Sequence, residues 1–384
     1  MKILMLNYEY PPLGAGAGVI TQHISEGLVK LGNQVTVLTA WLPNNEEEEE
    51  VNEGLKIIRL KCKRKHVYKS NPKEMLSWIR KSKSFLKEYC QSVKFDVCFA
   101  NFAIPGGEVA SYLKNAFDIP YVLISHGHDI PWFYPQQMFA YHILTYFQIK
   151  RICVQSKANF IQTSEMKENI DKFLGRKWAS KNIVIPNGLE DPGFVSDYSK
   201  RSKIFKIIFV GRLVKQKDPF TFLKSIKLFS CTIKNFIVHI LGDGELRKKM
   251  EDYVEKNDLT ENIKFLGWMS KDEIIDQYQS ANLYVAPSTT EGMSMAVLES
   301  LSYGQYVITT PVGQNRELIK EHINGELMTV GDHHELFNMI QKYYEEKFLK
   351  NYLVPAKTMA DLRIKYNWSN IVKSYDKVLQ EVVN

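Results

Sequence analysis

The sequence predicts two open α/β units in tandem, each a parallel sheet covered by helices. Three observations carry this. Short β-branched runs alternate with amphipathic helical patterns from one end to the other, as strands joined by crossover helices do. The alternation is broken once, at Pro186-Asn187-Gly188 and a polar stretch over 191–203 containing Pro192 and Gly193, which reads as a turn followed by a linker. Finally, 384 residues are too many for one typical domain and suit two. The units are expected over 1–190 and 204–365, with 366–384 as a closing segment.

In chain order, the first unit reads as strands over 2–6, 34–39, 55–60, 96–100, 121–124, 151–154 and 182–185. Each is a short, mainly apolar run of the length a buried parallel strand takes. Helical patterns lie between most of them, including 19–31 and 158–173. The second unit reads as strands over 205–210, 236–241, 263–266, 283–285, 306–309 and 326–329. Its helices are expected over 219–230, 245–256, 272–280, 296–302 and 334–345, and 368–382 is a last amphipathic helix. Ligands of such sheets bind in the crevice outside the carboxyl ends of the strands.

Composition excludes several classes. A hydrophobic content of 45% and a charged content of 24% are those of an ordinary globular protein. Cys62, Cys90, Cys98, Cys153 and Cys231 form no C-x-x-C pair, which argues for a reducing compartment and against a thiolate zinc site. No apolar run approaches a bilayer span, and the start reads as a strand and not a leader peptide. The expected location is the cytoplasm. The net charge of +7 is uneven: residues 56–94 hold 13 basic and 2 acidic side chains, just after an acidic run over 46–50. Either this is a solvated surface or it attracts an anionic surface or ligand. Within it, Met75, Trp78, Ile79, Leu86 and Tyr89 recur at helical spacing, with Arg80, Lys81, Lys83 and Lys87 elsewhere around the helix. That pattern suits a helix packed on a sheet, and equally an interfacial helix holding the protein to the inner face of an anionic membrane. No nucleic-acid partner is expected.

The richest stretch runs from Pro287 to Glu299. Glu291 falls on a strand-to-helix loop, and Glu299 reads as about two turns into the helix that follows. Free N–H groups at such a helix start attract anions, phosphates above all. A carboxylate beside them accepts hydrogen bonds, and sugar hydroxyls are natural donors. The plain alternative is a solvent-facing pair of glutamates. The strand over 205–210 runs into Gly211-Arg212, followed by Lys217, two cations able to hold phosphate. Gly242-Asp243-Gly244 and Val312-Gly313-Gln314-Asn315 are further crevice turns at strand ends.

In the first unit, the opening strand leads into Tyr10-Pro11-Pro12-Leu13-Gly14-Ala15-Gly16-Ala17-Gly18. Alternating glycines let backbone approach a ligand closely. A dinucleotide fingerprint is disfavoured, because Val19 stands where its last glycine belongs and the second strand ends in Thr39-Ala40 without an acidic residue. Ser125-His126-Gly127-His128-Asp129 follows a later strand; an imidazole there can donate a hydrogen bond or move a proton. Its alternative is a structural turn capped by Asp129. There is no D-x-D triplet and no H-E-x-x-H, so no metal is expected; Arg212, Lys217 and a helix N-terminus can neutralise a diphosphate instead.

Together these residues resemble the retaining GT-B glycosyltransferases of family 4, the glycosyl transferases group 1. The resemblance spans nearly the whole chain: the Pro-Pro and glycine turn, His126-Gly127 with Asp129, Ile185-Pro186-Asn187-Gly188, Gly211-Arg212-Leu213 with Lys217, Gly242-Asp243-Gly244, and Glu291 with Glu299. It implies two Rossmann-like doubly wound domains facing across a cleft. The acceptor domain would be 1–190, the nucleotide-sugar domain 204–365, and the helix within 366–384 would pack back on the first. It implies a nucleoside diphosphate sugar (UDP or GDP) as substrate and a saccharide or lipid-linked acceptor, with no cofactor. Arg212 and Lys217 would bind the diphosphate, with Gly16, Gly211 and Gly242 close by. Glu291 would take the sugar hydroxyls and Glu299 the ribose. Backbone around Gly292, Met293, Ser294 and Met295 would hold phosphate or sugar. His126 would sit at the reacting centre, with Gly14, Gly16 and Asp129 on the acceptor side.

The chain departs from the family pattern at Met293-Ser294-Met295-Ala296, where a bulky aromatic and Gly-hydrophobic-Pro are common, so donor choice is expected to be written there. Leu189-Glu190 and Gln305 are lesser departures. The implied reaction is sugar transfer with retention of configuration, in polysaccharide or glycolipid synthesis. A sugar-nucleotide epimerase of the same shape and a catalytically inactive scaffold are the alternatives.

Overall fold

The computed structural model describes residues 1–14, 16–43, 46–65, 70–127, 129, 131, 135–190 and 198–384, with the backbone alone at 135–138 and 271. Ala15, His128 and the linker segment 191–197 lie outside the described residues. The chain forms two compact units, Met1–Gly188 with Tyr366–Asn384, and Leu189–Lys365.

The first unit runs β1 (Lys2–Leu6), α1 (Gly16–Lys30), β2 (Gln34–Ala40), β3 (Glu48–Asn52), β4 (Leu55–Leu60), α2 (Pro72–Ser92), β5 (Val97–Asn101), α3 (Glu108–Phe117), β6 (Tyr121–Ile124), α4 (Pro135–Gln155), β7 (Asn159–Ile161), α5 (Ser164–Leu174) and β8 (Asn182–Val184). Its sheet has the order β3-β4-β2-β1-β5-β6-β7-β8, parallel except for β3 against β4. Strand order reverses between β1 and β5, so the ligand crevice of this unit is expected at their carboxyl ends. Alternate strand residues feed two cores. Leu4, Leu6, Cys98 and Leu123 face α2, α3, α4 and α5, while Ile3, Met5, Val35 and Val97 face α1 and the last helix.

The second unit runs β9 (Phe205–Val210), α6 (Pro219–Thr232), β10 (Phe236–Leu241), α7 (Arg247–Lys256), β11 (Ile263–Gly267), α8 (Lys271–Ser280), β12 (Leu283–Ala286), α9 (Met295–Ser302), β13 (Tyr306–Thr309), α10 (Asn315–Leu318), β14 (Gly325–Leu327), α11 (His333–Tyr343) and α12 (Ala356–Tyr366). Its sheet is wholly parallel in the order β11-β10-β9-β12-β13-β14, and the reversal falls between β9 and β12. The closing helix α13 (Trp368–Val383) packs on the first unit. Ile371, Val372, Tyr375 and Leu379 enter its core, and Asn33 Nδ2 donates to Asp376 Oδ1 at 2.8 Å. Gly188 lies against the Trp368 ring, where a Cβ would stand 2.3 Å from Cδ2.

Two expectations are corrected, and two open readings take a definite form. Residues 151–154 are the last turn of α4 and not a strand; the apolar run Ile152-Cys153 is buried on that helix's inner side, and a short run carries no periodicity to separate the two states. Residues 158–163 belong to β7 and its exit, and α5 starts only at Ser164, where the Thr163 side chain caps it by accepting from Met166 N. The acidic run leads into a strand: β3 begins at Glu48 and lies antiparallel to β4, and Glu47, Glu48 and Glu49 pair with Lys61, Lys56 and Arg59. Three of the thirteen basic side chains of 56–94 are thereby neutralised at the sheet edge. Lastly, the apolar stripe of α2 is spent on the core. Trp78, Ile79 and Leu86 are buried beneath it, which leaves α2 a sheet-packing helix with a cationic outer face.

Candidate active site

In the second unit the polar groups gather at the reversal point. From β9 the chain enters Gly211 and passes exposed Arg212, to which no ion pair is recorded among the described residues. A one-turn helix at Lys215–Lys217 then precedes α6, which Asp218 caps by accepting from Thr221 N. Gly242 sits against this turn at φ +113°, where a Cβ would lie 2.1 Å from Gly211 O; only glycine fits. From β12 the chain enters the loop 287–294. Lys217 Nζ meets Glu291 Oε1 at 2.5 Å, and Ser288 Oγ donates to the same oxygen at 2.8 Å. Glu291 is buried to 8% exposure and Lys217 to 18%, so the pair is largely shielded from water. An ammonium has three protons, so two remain for other acceptors, a phosphate among them.

Gln216 staples the two loops together. Its backbone O accepts from Thr289 N at 2.8 Å, and its side-chain Nε2 donates to Thr290 O at 2.9 Å. Gly313 presses on the loop from the other side: at φ +56° its Cβ would lie 2.1 Å from Gly292 O, which accepts from Gln314 N. The loop around Glu291 is thus held on both flanks before α9 begins. Ser294 is the N-cap of α9 but makes no side-chain cap bond, so the first N–H groups, at Met295 and beyond, are left for a ligand. Met293 and Met295 are half-buried. Glu299 lies one turn into α9, since the helix starts at Met295, and not two turns as its sequence position suggested. Tyr278 OH approaches Glu299 Oε2 at 3.3 Å. The buried Tyr284 phenol is pushed well above its ordinary value, first by burial and then by the charges of Glu291 and Glu299. Asp243 is committed, accepting from Gly244 N and pairing with Arg247 at 3.1 Å.

In the first unit a chain of polar side chains lies at the ends of β1, β5 and β6. Asn7 Nδ2 donates to Thr21 Oγ1 (2.7 Å), Thr21 Oγ1 donates to Asn101 Oδ1 (3.0 Å), and His126 Nε2 lies 3.0 Å from the same oxygen. An amide oxygen only accepts, so His126 carries its proton on Nε2 in the neutral form. Phe102 packs on the imidazole, centroids 4.8 Å apart, and holds φ +63°, an uncommon state for a bulky residue. Asp129 is buried: it accepts from Ala103 N (2.9 Å), Ser125 Oγ (3.0 Å) and His126 N (3.1 Å). Its carboxylate is the cap of the His126 turn. Burial nevertheless holds its pKa above the usual carboxylate value, the hydrogen bonds offsetting only part.

The glycines separate in the same way. Gly14, at φ +89°, is required by the turn, where a Cβ would strike Glu9. Gly16 opens α1 with nothing within 4 Å of a Cβ, so packing does not demand a glycine there. Sequence reasoning missed Asn7, Thr21, Asn101, Phe102, Gln216, Ser288 and Tyr278. The two asparagines carried a signal: each is a polar residue closing an apolar strand run beside the reversal point, Asn7 just after β1 and Asn101 as the last residue of β5. Among the described residues no group of three or more His, Cys, Asp or Glu is placed to hold a metal ion.

Two open sheets, each with its polar groups at the reversal of strand order, define a two-domain protein of the doubly wound class. Known proteins identify the family. A family model described as Glycosyl transferases group 1 matches residues 195–358, and one described as Glycosyltransferase Family 4 matches residues 14–191. The chain belongs to this family of GT-B glycosyltransferases. It is similar to an uncharacterized glycosyltransferase of Methanocaldococcus jannaschii, 27% identical over 382 residues that cover 100% of this chain and 99% of the relative. It is also similar to the UDP-Gal:alpha-D-GlcNAc-diphosphoundecaprenol alpha-1,3-galactosyltransferase of Escherichia coli, 29% identical over 211 residues, 52% of this chain and 53% of that one. Among solved structures, the sucrose-phosphate synthase of Thermosynechococcus elongatus shares the fold with a TM-score of 0.83, covering 99% of this chain and 98% of that one at 17% identity.

Proposed function

We propose that this glycosyltransferase moves a sugar from a nucleoside diphosphate donor to a lipid-linked saccharide, with retention of anomeric configuration and without a metal ion. The observation that carries the reading is the shielded Lys217–Glu291 pair at the uncapped start of α9, with Arg212 exposed nearby on the same edge. Arg212, the remaining protons of Lys217 and the α9 N–H groups supply positive potential for a leaving diphosphate. Glu291 supplies a fixed acceptor for sugar hydroxyls, and Glu299, steadied by Tyr278, one for the ribose. The lipid-linked acceptor is supported by the printed name of the Escherichia coli relative, which acts on a diphosphoundecaprenol-linked sugar.

In the proposed step the anomeric C–O bond to the diphosphate breaks as a C–O bond to the acceptor oxygen forms on the same face. The acceptor proton passes to the departing phosphate oxygen. The carboxylates near the two strand-end clusters are engaged, Glu291 with Lys217 and Asp129 with backbone N–H groups, which supports direct attack by the acceptor over a covalent enzyme intermediate. His126, its proton placed on Nε2 by Asn101, is the group proposed to steady the reacting sugar.

The test is sugar transfer by wild type and Glu291→Ala, with the anomer of the product read by NMR and the assay repeated in chelator. Transfer should fall by roughly a hundredfold or more in the variant, while the melting midpoint stays within a few degrees. Inverted product, or loss of activity in chelator that added metal restores, would correct the mechanism. Unchanged turnover in the variant removes the site.

A further inference from the structure

Helix α4 is turned inside out. A surface helix normally shows charged residues to water, yet from 135 to 149 this one contains no Asp, Glu, Lys or Arg. Its inner side is buried at His142, Ile149, Ile152 and Cys153. Its outer side shows Ile143, Leu144 and Phe147 at 52%, 85% and 83% exposure, with Phe139 one turn before. These positions recur every three or four residues, so they form one ridge. Scattered exposed apolar residues are ordinary; a contiguous ridge on a charge-free helix marks a contact surface.

The ridge has a cationic flank. Helices α2, α3 and α4 cover the same sheet face through one core, so their outer sides point the same way. Glu108 at the start of α3 ties the other two together, pairing with Lys83 of α2 at 2.8 Å and Arg151 of α4 at 3.1 Å. On the outer side of α2, Lys63, Lys73, Arg80 and Lys81 surround a depression of about 510 Å³ floored by Leu76 and Ser77. None of these four cations is recorded in an ion pair among the described residues, unlike Lys56, Arg59, Lys61, Arg64 and Lys83. In a symmetric pair of copies burying this face, the basic rim would meet like charge. An anionic bilayer meets both parts at once: acyl chains for the ridge, headgroup phosphates for the rim.

We propose that α4 is a membrane-docking helix, with Ile143, Leu144 and Phe147 entering the headgroup layer of an anionic bilayer while Lys63, Lys73, Arg80 and Lys81 bind its phosphates. The inference rests for its purpose on the lipid-linked acceptor above, and it moves the apolar contact from α2, whose stripe is core, to α4. The experiment is co-sedimentation of the full chain with vesicles of equal parts phosphatidylglycerol and phosphatidylcholine. Leu144→Ser/Phe147→Ser should lower partitioning by at least roughly tenfold, since each removes a large apolar group from the lipid boundary. Arg80→Gln/Lys81→Gln should lower it by roughly fivefold per charge, and high salt should remove that component only. Both variants alter exposed positions, so melting midpoints and nucleotide-sugar titrations should match wild type. Wild-type partitioning of the Leu144→Ser/Phe147→Ser variant overturns the proposal. So does a dimer in sedimentation velocity that this variant splits, with no vesicle binding by wild type. Vesicle binding that depends on Leu144 and Phe147 in a chain that titrates no nucleotide sugar supports the docking helix and rejects the proposed function instead.

Discussion

Lys217 and Glu291 meet at 2.5 Å with most of both side chains withdrawn from water. Truncating either partner of such a pair leaves the other charge uncompensated, so a substitution reports on the site as well as on the ligand, and a donor-binding readout is needed beside turnover. Asp129 is the contrasting case. Its oxygens are spent on two backbone N–H groups and the Ser125 hydroxyl, and burial still keeps its pKa raised. The folded chain therefore holds that proton to higher pH than the unfolded chain, whose value is about 3.9. The contribution of this group to stability is fully present below that value and is lost as pH rises through the folded one. Melting midpoints of wild type and Asp129→Asn measured from about pH 4 to 7 should show the wild type losing ground to the variant as pH rises. A difference that stays flat or grows would contradict the assigned cause.

At the scale of elements, the loop between β12 and α9 is the part most exposed to design by its neighbours. Gln216 and Gly313 clamp it, one by hydrogen bonds and the other by close approach. Gln216→Ala removes the bond to Thr290 O and should lower kcat/KM for the donor by roughly five- to tenfold, the worth of one such bond. The loss should fall on donor KM and spare the melting midpoint; a lowered midpoint with unchanged KM would make Gln216 structural only. Gln216 was not legible in the sequence, because it sits among Lys215 and Lys217 and its partner is a main-chain carbonyl more than seventy residues away. Glu291, Arg212 and Lys217 were legible, because strand, turn and helix start follow one another locally. Strand β3 was hidden because its three glutamates, Glu48 to Glu50, have little strand propensity of their own; ion pairs of this acidic segment with Lys56, Arg59 and Lys61 supply the stabilisation. The end of α4 read as strand, because its apolar outer face removes the two-sided pattern on which a helix assignment depends.

At the scale of the molecule, each unit reverses its strand order once and gathers its polar groups at that point. In the first, Asn7, Asn101 and His126 lie at the carboxyl ends of β1, β5 and β6; in the second, Lys217 and Glu291 follow β9 and β12. Alternation of apolar runs with helical patterns made most of both sheets readable; the three-residue parallel strand β7 did not stand out and was read into the helix that follows it. The roles of individual side chains were less readable: Asp129 looks the same in sequence whether it meets a ligand or caps a turn. The central claim is that the second unit binds a nucleoside diphosphate sugar through Lys217 and Glu291. Calorimetric titration of wild type and Glu291→Gln with UDP- and GDP-sugars, and with UDP and GDP alone, tests it most directly. The account predicts that one nucleotide series binds wild type, and that Glu291→Gln still binds the bare diphosphate but loses the preference for its sugar-bearing form. No binding by either series, or a variant that prefers the sugar nucleotide as wild type does, would contradict it.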